Sequence, residues 1–138
     1  MKPPDEVRRT LVEKWLAKAD QDFGVAKQLY SDGARYAEAI GFHCQQAIEK
    51  YLKAYLTLHG IEAPKTHNLI ELRLLAGRAD KGLAEELVEI TMLNPFGVEY
   101  RYPGDAPEML PEELATVIVI AERARETILW RMRGKLQE

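Results

Sequence analysis

The chain has 138 residues, of which 46% are hydrophobic and 30% are charged, and this balance excludes a disordered segment, a fibre and a multidomain enzyme. Nineteen Lys and Arg stand against twenty-two Asp and Glu, and the net charge of -3 argues against a general phosphate-binding surface. Any contact with nucleic acid must therefore be local. We predict a single domain over residues 1–138, large enough to bury a core without disulfides or a structural metal.

The single cysteine, Cys44, cannot form an internal disulfide bond. The N-terminal residues do not show the positively charged start followed by an apolar segment that is typical of a secretory signal peptide. No apolar run approaches the roughly twenty residues that cross a bilayer. The sequence therefore predicts a cytoplasmic protein that does not associate with membranes.

The first two predicted elements are long helices. Apolar residues recur at three- and four-residue intervals over about residues 7–30, and Gly33 follows as a stop. The same spacing predicts a second helix over about residues 35–59, which Gly60 ends. Both glycines can adopt the left-handed conformation that closes a helix.

Two shorter helices are predicted next, over about residues 69–76 and 82–93. Gly77 is interpreted as the stop of the third helix and Pro95 as the end of the fourth. Residues 94–109 hold three prolines and two glycines, a composition that predicts a rigid, irregular loop.

A fifth helix is predicted over about residues 111–133, with Pro111 in its first turn. Residues 116–120 are rich in β-branched side chains, but they lie within a longer helical period and have no second strand to pair with. We therefore predict an all-α fold, a five-helix antiparallel up-and-down bundle whose long members are helices one, two and five. The large side chains expected to be buried together are Trp15, Phe23, Tyr51, Leu52, Leu114 and Ile118.

When the residues of helix two are placed around the helix axis at 100 degrees per residue, they fall on an apolar face and a polar face. Its predicted apolar face carries Ile40, Cys44, Ala47, Ile48, Tyr51, Leu52, Tyr55 and Leu56. Its polar side carries Gln46, Glu49, Lys50 and Lys53, with His43 beside them, while Gln45 breaks the partition. Two ammonium groups, an amide and an imidazole can bind a phosphate and read a base edge. The alternative interpretation is an ordinary solvated helix face.

Two further segments could carry chemistry. Arg101 lies between two tyrosines, one of them Tyr102, and this combines donors for a phosphate with aromatic faces for a base. Alternatively, the tyrosines close the end of the bundle and Arg101 pairs with Glu99. His67, just before helix three, is interpreted as a residue that caps backbone groups or makes a buried hydrogen bond.

Several classes of enzyme are excluded by missing motifs. The chain contains no glycine-rich nucleotide-binding signature, Walker motif or nucleophile elbow. Its three histidines, His43, His59 and His67, lack the four-residue spacing of a helical zinc site. We therefore expect neither a metal site nor a cofactor.

Together these segments closely resemble the HEPN domain family, whose initials stand for higher eukaryotes and prokaryotes nucleotide-binding. The similar stretches are residues 39–54, 65–69 and 99–103, and the likeness extends to Trp15, Ala19 and Asp22 of helix one. The family positions that match are His43, Gln46, Glu49, Lys50, Lys53, Thr66, His67, Arg101, Tyr102 and Pro103.

The resemblance implies a five-helix bundle that pairs as a two-fold homodimer and takes part in nucleotide or RNA transactions. It also implies a protein partner, a minimal nucleotidyltransferase, in a complex or a toxin-antitoxin pair. Many members are metal-independent ribonucleases with an RxxxxH-type motif late in the chain. Here the last histidine is His67, and no arginine from Arg73 onward precedes a histidine. Because histidine most easily supplies an acid or base near neutral pH, we assign no catalytic residue.

Three functions remain open from the sequence. The leading hypothesis is a module that binds a nucleotide or an RNA end, partners a nucleotidyltransferase and lacks strong nuclease activity. Its predicted binding residues are His43, Gln46, Lys50, Lys53, His67, Arg101 and Tyr102. The second is a ribonuclease that uses His43 or His67 with Arg101. The third is a structural subunit whose polar helix-two face docks a protein.

Overall fold

A computed structural model describes residues 4–97 and 109–136 of the chain. Within these residues the chain forms five α-helices and two 3-10 helices, and no strand. The α-helices are α1 Pro4–Tyr30, α2 Ala37–Leu58, α3 Leu69–Ala79, α4 Lys81–Glu86 and α5 Pro111–Leu136; the first 3-10 helix is Gly33–Tyr36 and the second is Val88–Phe96. The predicted all-α fold is confirmed.

Local signals place several helix ends correctly. Gly33 and Gly60 have φ angles of 81° and 73°, the left-handed conformation expected of glycines that end helices. Asn68 caps α3, because its side chain accepts a hydrogen bond from the backbone N–H of Ile70 at 2.9 Å.

Two predicted helix ends are wrong. Helix α3 continues through Gly77 to Ala79, and a Cβ atom at Gly77 would lie only 3.0 Å from the Cβ of Ala84. Gly77 therefore allows α3 and α4 to approach closely instead of stopping α3. The predicted fourth helix is divided, since α4 ends at Glu86 and the second 3-10 helix contains Pro95.

Helices α1 and α2 pack antiparallel to each other, as predicted. Residue numbers rise along α1 while they fall along α2 in the contacting pairs Arg8 with Gly60, Trp15 with Lys53, and Asp22 with Lys50. Helix α5 runs in the same direction as α2, as the pairs Gly41 with Met109, Tyr51 with Arg125, and His59 with Lys135 indicate. The chain can run this way because α3, α4 and the second 3-10 helix together return it to the start of α2.

The core is built around α2, with buried side chains from α1 and α5 and from α3, α4 and the second 3-10 helix. All eight residues of the predicted apolar face of α2 are buried, which confirms that face. Phe23, Tyr51, Leu52 and the α5 residues predicted with them are also buried. Trp15 is only half-buried, because it packs on the edge of the core with the ammonium group of Lys53 5.5 Å from its ring centroid. Among the described helices, none combines the length and apolar character needed to span a bilayer.

Candidate functional site

The polar side of α2 packs against α1 and against the segment that precedes α3. Glu49 and Lys53 are only 3% and 5% exposed. The interpretation of this side as a solvated helix face is therefore wrong for these two residues. Burying charged groups is costly unless they are paired, and each of them has a partner.

The first group of polar side chains, the Asp22 cluster, consists of Asp22 on α1 with His43 and Lys50 on α2. Asp22 Oδ1 lies 2.9 Å from His43 Nδ1, and the ammonium group of Lys50 donates to Asp22 Oδ2. The Asp22 side chain is 13% exposed, and His43 and Lys50 keep 29% and 22% of their side-chain surface. His43 and Lys50 are seven residues apart, so two helical turns bring them to one carboxylate.

The second group, the Glu49 cluster, consists of Glu49, Lys53 and Gln46 on α2 and His67 before α3. Glu49 Oε2 accepts from Lys53 Nζ at 3.1 Å, and Glu49 Oε1 lies 2.9 Å from His67 Nδ1. Gln46 Nε2 donates to the same Oε1 at 3.4 Å. The Glu49 side chain is 4% exposed, whereas that of His67 is 70% exposed. A buried carboxylate thus holds an imidazole that reaches the surface.

Gln45 connects the Glu49 cluster to the backbone of the segment before α3. Gln45 is fully buried, and its Nε2 donates to the carbonyl oxygen of His67 at 2.8 Å. Its Oε1 accepts from Gln46 Nε2 at 2.8 Å. His67 is consequently fixed at its ring by Glu49 and at its backbone by Gln45. Its predicted role as a buried or capping residue is wrong, because the ring is exposed and bonds a side chain.

The structure brings five predicted residues to one side of α2. They are His43, Gln46, Lys50, Lys53 and His67. Arg101 and Tyr102, together with most of the predicted irregular loop, lie outside the described residues.

Asp22, Gln45 and Glu49 complete the site but are absent from the predicted binding set, although Glu49 was among the positions that match the family. The sequence contained a sign that Gln45 has a specific contact, because Gln45 is a polar residue that breaks the separation of polar and apolar residues on α2. Asp22 carried another sign, because it follows Trp15 by seven residues and Ala19 by three and so lies on the stripe of α1 that faces α2.

The electrostatics of the two clusters are balanced. Lys50 pairs with Asp22, and Lys53 pairs with Glu49. The position of Lys53 does not favour the predicted direct contact with a ligand phosphate, because its ammonium is buried between Glu49 and the ring of Trp15. Lys50 keeps part of its surface, so its ammonium can face a ligand while still bonded to Asp22.

The two histidines offer the groups best placed for a ligand. An ionised carboxylate can only accept hydrogen bonds, so Asp22 and Glu49 require a proton on Nδ1 of His43 and His67. In the neutral rings, each Nε2 then carries a lone pair. Neither Nε2 has a hydrogen-bond partner among residues 4–97 and 109–136. Both can therefore serve an incoming ligand.

Other reactive side chains do not add to this site. Burial raises the pKa of the Cys44 thiol to about 12, so a thiolate nucleophile is disfavoured there. His59 lies at the other end of α2, against Tyr55, with a ring-centroid distance of 4.3 Å. In the described part of the chain, no three His, Cys, Asp or Glu side chains are grouped so that they could hold a metal ion.

Comparison with known proteins agrees with this architecture. The family model described as HEPN domain matches residues 12–132, which include α2, the Asp22 and Glu49 clusters and most of α1 and α5. No curated protein and no solved structure gives a significant match. The family match covers well over half of the chain, and on this basis the chain belongs to the HEPN domain family.

Proposed function

We propose that the polar side of α2 binds a nucleotide or the end of an RNA chain. One observation carries this proposal: two imidazoles, His43 and His67, are held at Nδ1 by carboxylates, present Nε2 to a ligand and stand beside the ammonium group of Lys50. A cation and hydrogen-bonding groups fixed on one surface suit a ligand that combines a phosphate with sugar and base groups.

The predicted residues take different roles in this proposal. Lys50 faces the phosphate, since its ammonium is partly exposed, and His43 presents its Nε2 lone pair to a hydrogen-bond donor of the base. Gln46 and His67 contact the sugar or base. Lys53 acts indirectly by holding Glu49, which in turn orients His67. Arg101 and Tyr102 remain proposed phosphate and base contacts on the sequence argument alone.

The test is binding of a panel of nucleotides and short RNAs, measured by isothermal titration calorimetry. Lys50→Ala removes a charge-assisted contact, which should cost about 1.5 to 3 kcal/mol of binding free energy, or about tenfold or more in affinity. Lys18→Ala, which changes an exposed lysine of α1, is the matched control and should leave affinity unchanged. Unchanged binding by Lys50→Ala would contradict the site. A wild-type protein that binds none of the panel would favour the protein-docking hypothesis.

We also propose that the chain works as a homodimer and partners a minimal nucleotidyltransferase, in the manner of a toxin-antitoxin pair. The predicted apolar face of α2 is used in the core, but apolar side chains stay exposed on the second 3-10 helix and α5. These are Val88, Met92, Val119 and Trp130. Val88 lines a groove of about 440 Å³ between the two elements, and Met92 and Val119 line a second groove of about 260 Å³ beside it. A shared apolar face of this kind suits a two-fold contact.

A ribonuclease remains the second candidate, and the two carboxylate–histidine pairs favour it. A carboxylate that fixes the Nδ1 proton of an imidazole leaves Nε2 ready to act as a general base. Because the RxxxxH-type motif is missing, we expect no cleavage of a mixed RNA panel at rates typical of family members that keep this motif. Robust metal-independent cleavage that His43→Ala or His67→Ala abolishes would instead establish the enzyme.

A further inference from the structure

We propose that a groove beside the first half of α1 binds an amphipathic helix of a partner protein, one that carries acidic side chains beside its apolar face. This groove, the α1 groove, has a volume of about 720 Å³. Its apolar lining residues are Pro4, Val7, Leu11, Trp15, Ile61 and Ala63. None of them belongs to the Asp22 or Glu49 cluster, so the inference goes beyond the proposed function and does not depend on it.

The shape of the α1 groove suits a helix. One wall is a stripe of α1 in which apolar residues recur at intervals of three and four, from Pro4 to Trp15. The opposite wall is the end of α2 with residues 60–63. At 1.5 Å per residue, the α1 wall is about 16 Å long, or three helical turns. A groove of this kind receives the apolar side chains that a bound helix places at positions i, i+3, i+4 and i+7.

The apolar surface of the α1 groove is not covered by the described part of the chain. Val7 and Leu11 keep 52% and 45% of their surface, and Trp15 is only half-buried. Exposed apolar side chains gathered in one groove indicate contact with another molecule. A two-fold homodimer uses the same face of each copy, and we have proposed that face on α5 and the second 3-10 helix. The α1 groove is therefore left for a different protein.

The charges around the α1 groove favour an acidic occupant. Arg8 lines the groove, and the exposed Lys14 and Lys18 lie on the same side of α1, two helical turns beyond Val7 and Leu11. None of these three cations has an ion pair with a residue that the structure describes. In a chain with a net charge of -3, such a basic edge complements a helix with Asp or Glu beside its apolar stripe.

An RNA strand is the competing occupant, because its phosphates also pair with lysine and arginine. Phosphate contacts alone would leave the apolar side chains of Val7 and Leu11 in water. An amphipathic helix buries them and pairs the cations at the same time. The helix thus accounts for both features of the α1 groove, and RNA is the competing ligand in the experiment.

The experiment uses two synthetic peptides of about 18 residues, or five helical turns, with the same leucine stripe at i, i+3, i+4 and i+7 spacing. One peptide carries Glu and the other carries Lys beside the stripe. In the Trp130→Phe variant of the full chain Trp15 is the only tryptophan, so its fluorescence reports on the groove. We expect the Glu peptide to shift the emission of Trp15 to shorter wavelength until it saturates. The Lys peptide should bind at least about tenfold more weakly.

Substitutions in this background test the apolar lining and the basic edge separately. Leu11→Asp places a charge in the apolar groove and should weaken binding of the Glu peptide by at least about tenfold. Lys14→Glu combined with Lys18→Glu should reverse the preference, so that the Lys peptide binds more tightly than the Glu peptide. Lys27→Glu is the matched control, because Lys27 is exposed on the opposite side of α1, and it should leave both affinities unchanged.

Reversal of the peptide preference by the double charge change would support the inference. Failure of the Glu peptide to bind, or equal binding of the two peptides by the protein without the charge changes, would overturn it. A shift of Trp15 emission by a short poly-U RNA that the double charge change abolishes, with no shift by the Glu peptide, would assign the basic edge to nucleic acid instead. The proposed function is tested separately, because it depends on Lys50, which does not line the α1 groove.

Discussion

The guanidinium group of Arg125 on α5 donates from Nε to the hydroxyl oxygen of Tyr51 on α2 across 2.8 Å. The same hydroxyl donates to Asp20 on α1, whose carboxylate lies 3.5 Å from Arg125 Nη2. One tyrosine thus connects all three long helices. Burial and the bond to Asp20 raise the pKa of Tyr51 above its usual range, so the hydroxyl stays neutral and available as a donor.

Replacing Tyr51 with phenylalanine should destabilise the fold. The Tyr51→Phe variant removes a donor and an acceptor and leaves the Asp20 and Arg125 side chains without this bridge, which should cost about 1 to 3 kcal/mol of unfolding free energy. Tyr55→Phe is the matched control, because Tyr55 is equally buried and makes no hydroxyl hydrogen bond with the described residues. Urea unfolding followed by circular dichroism measures both. Equal losses in the two variants would show that the Tyr51 bridge contributes nothing.

The buried pair of Glu49 and Lys53 leads to a second prediction. Lys53→Ala leaves the Glu49 carboxylate buried without its ammonium partner, and breaking a buried pair in this way costs about 3 kcal/mol of unfolding free energy. Lys18→Ala, at an exposed position on α1, should change it by less than about 0.5 kcal/mol. Urea midpoints of the two variants decide the matter. A small effect of Lys53→Ala would mean that Glu49 does not need this partner.

The histidine at the end of α2, His59, should make the stability of the fold depend on pH. Burial, reinforced by the charge of Lys135, lowers the pKa of His59, and its buried Nε2 has no hydrogen-bond partner among the residues that the structure describes. The unfolded chain therefore binds a proton at higher pH than the folded one does. Stability should be complete above the ordinary histidine pKa of about 6.5 and should decrease as pH falls below it.

The variant that isolates this effect is His59→Phe, which keeps a ring against Tyr55 and removes the titrating group. We expect a flatter decrease in the urea midpoint between about pH 7.5 and about pH 5.5 than in the wild type. At the higher pH the variant should be no less stable, because it loses an unpaired buried nitrogen. The same decrease in both proteins would assign the pH dependence to other groups.

The exposed apolar face of α5 and the second 3-10 helix should control the oligomeric state. If this face forms the proposed homodimer contact, Val119→Asp places a charge within it and should weaken self-association by at least about tenfold. Val7→Asp, at a similarly exposed valine on α1, is the matched control and should leave the dimer intact. Sedimentation velocity at micromolar concentration measures both. A wild-type monomer at every concentration would reject the homodimer.

Much of the fold follows from local sequence. The apolar stripe of α2 and the stops at Gly33 and Gly60 depend on residues within a few positions of one another, and each was predicted. The wrong end predicted for α3 arose because a glycine such as Gly77 can either end a helix or allow another helix to approach closely. The distinction depends on Ala84, which belongs to another helix.

The arrangement of the site depends on contacts between distant parts of the chain. The sequence by itself determined that His43, Gln46, Lys50 and Lys53 share one side of a helix, because helical periodicity requires it. Only the tertiary structure decided that α1 covers this side. Asp22 is 21 residues from His43 and 28 from Lys50, and His67 is 18 from Glu49. Periodicity carries no information at such separations, so the packing of helices determines which charges become paired and which nitrogen atoms stay open to a ligand.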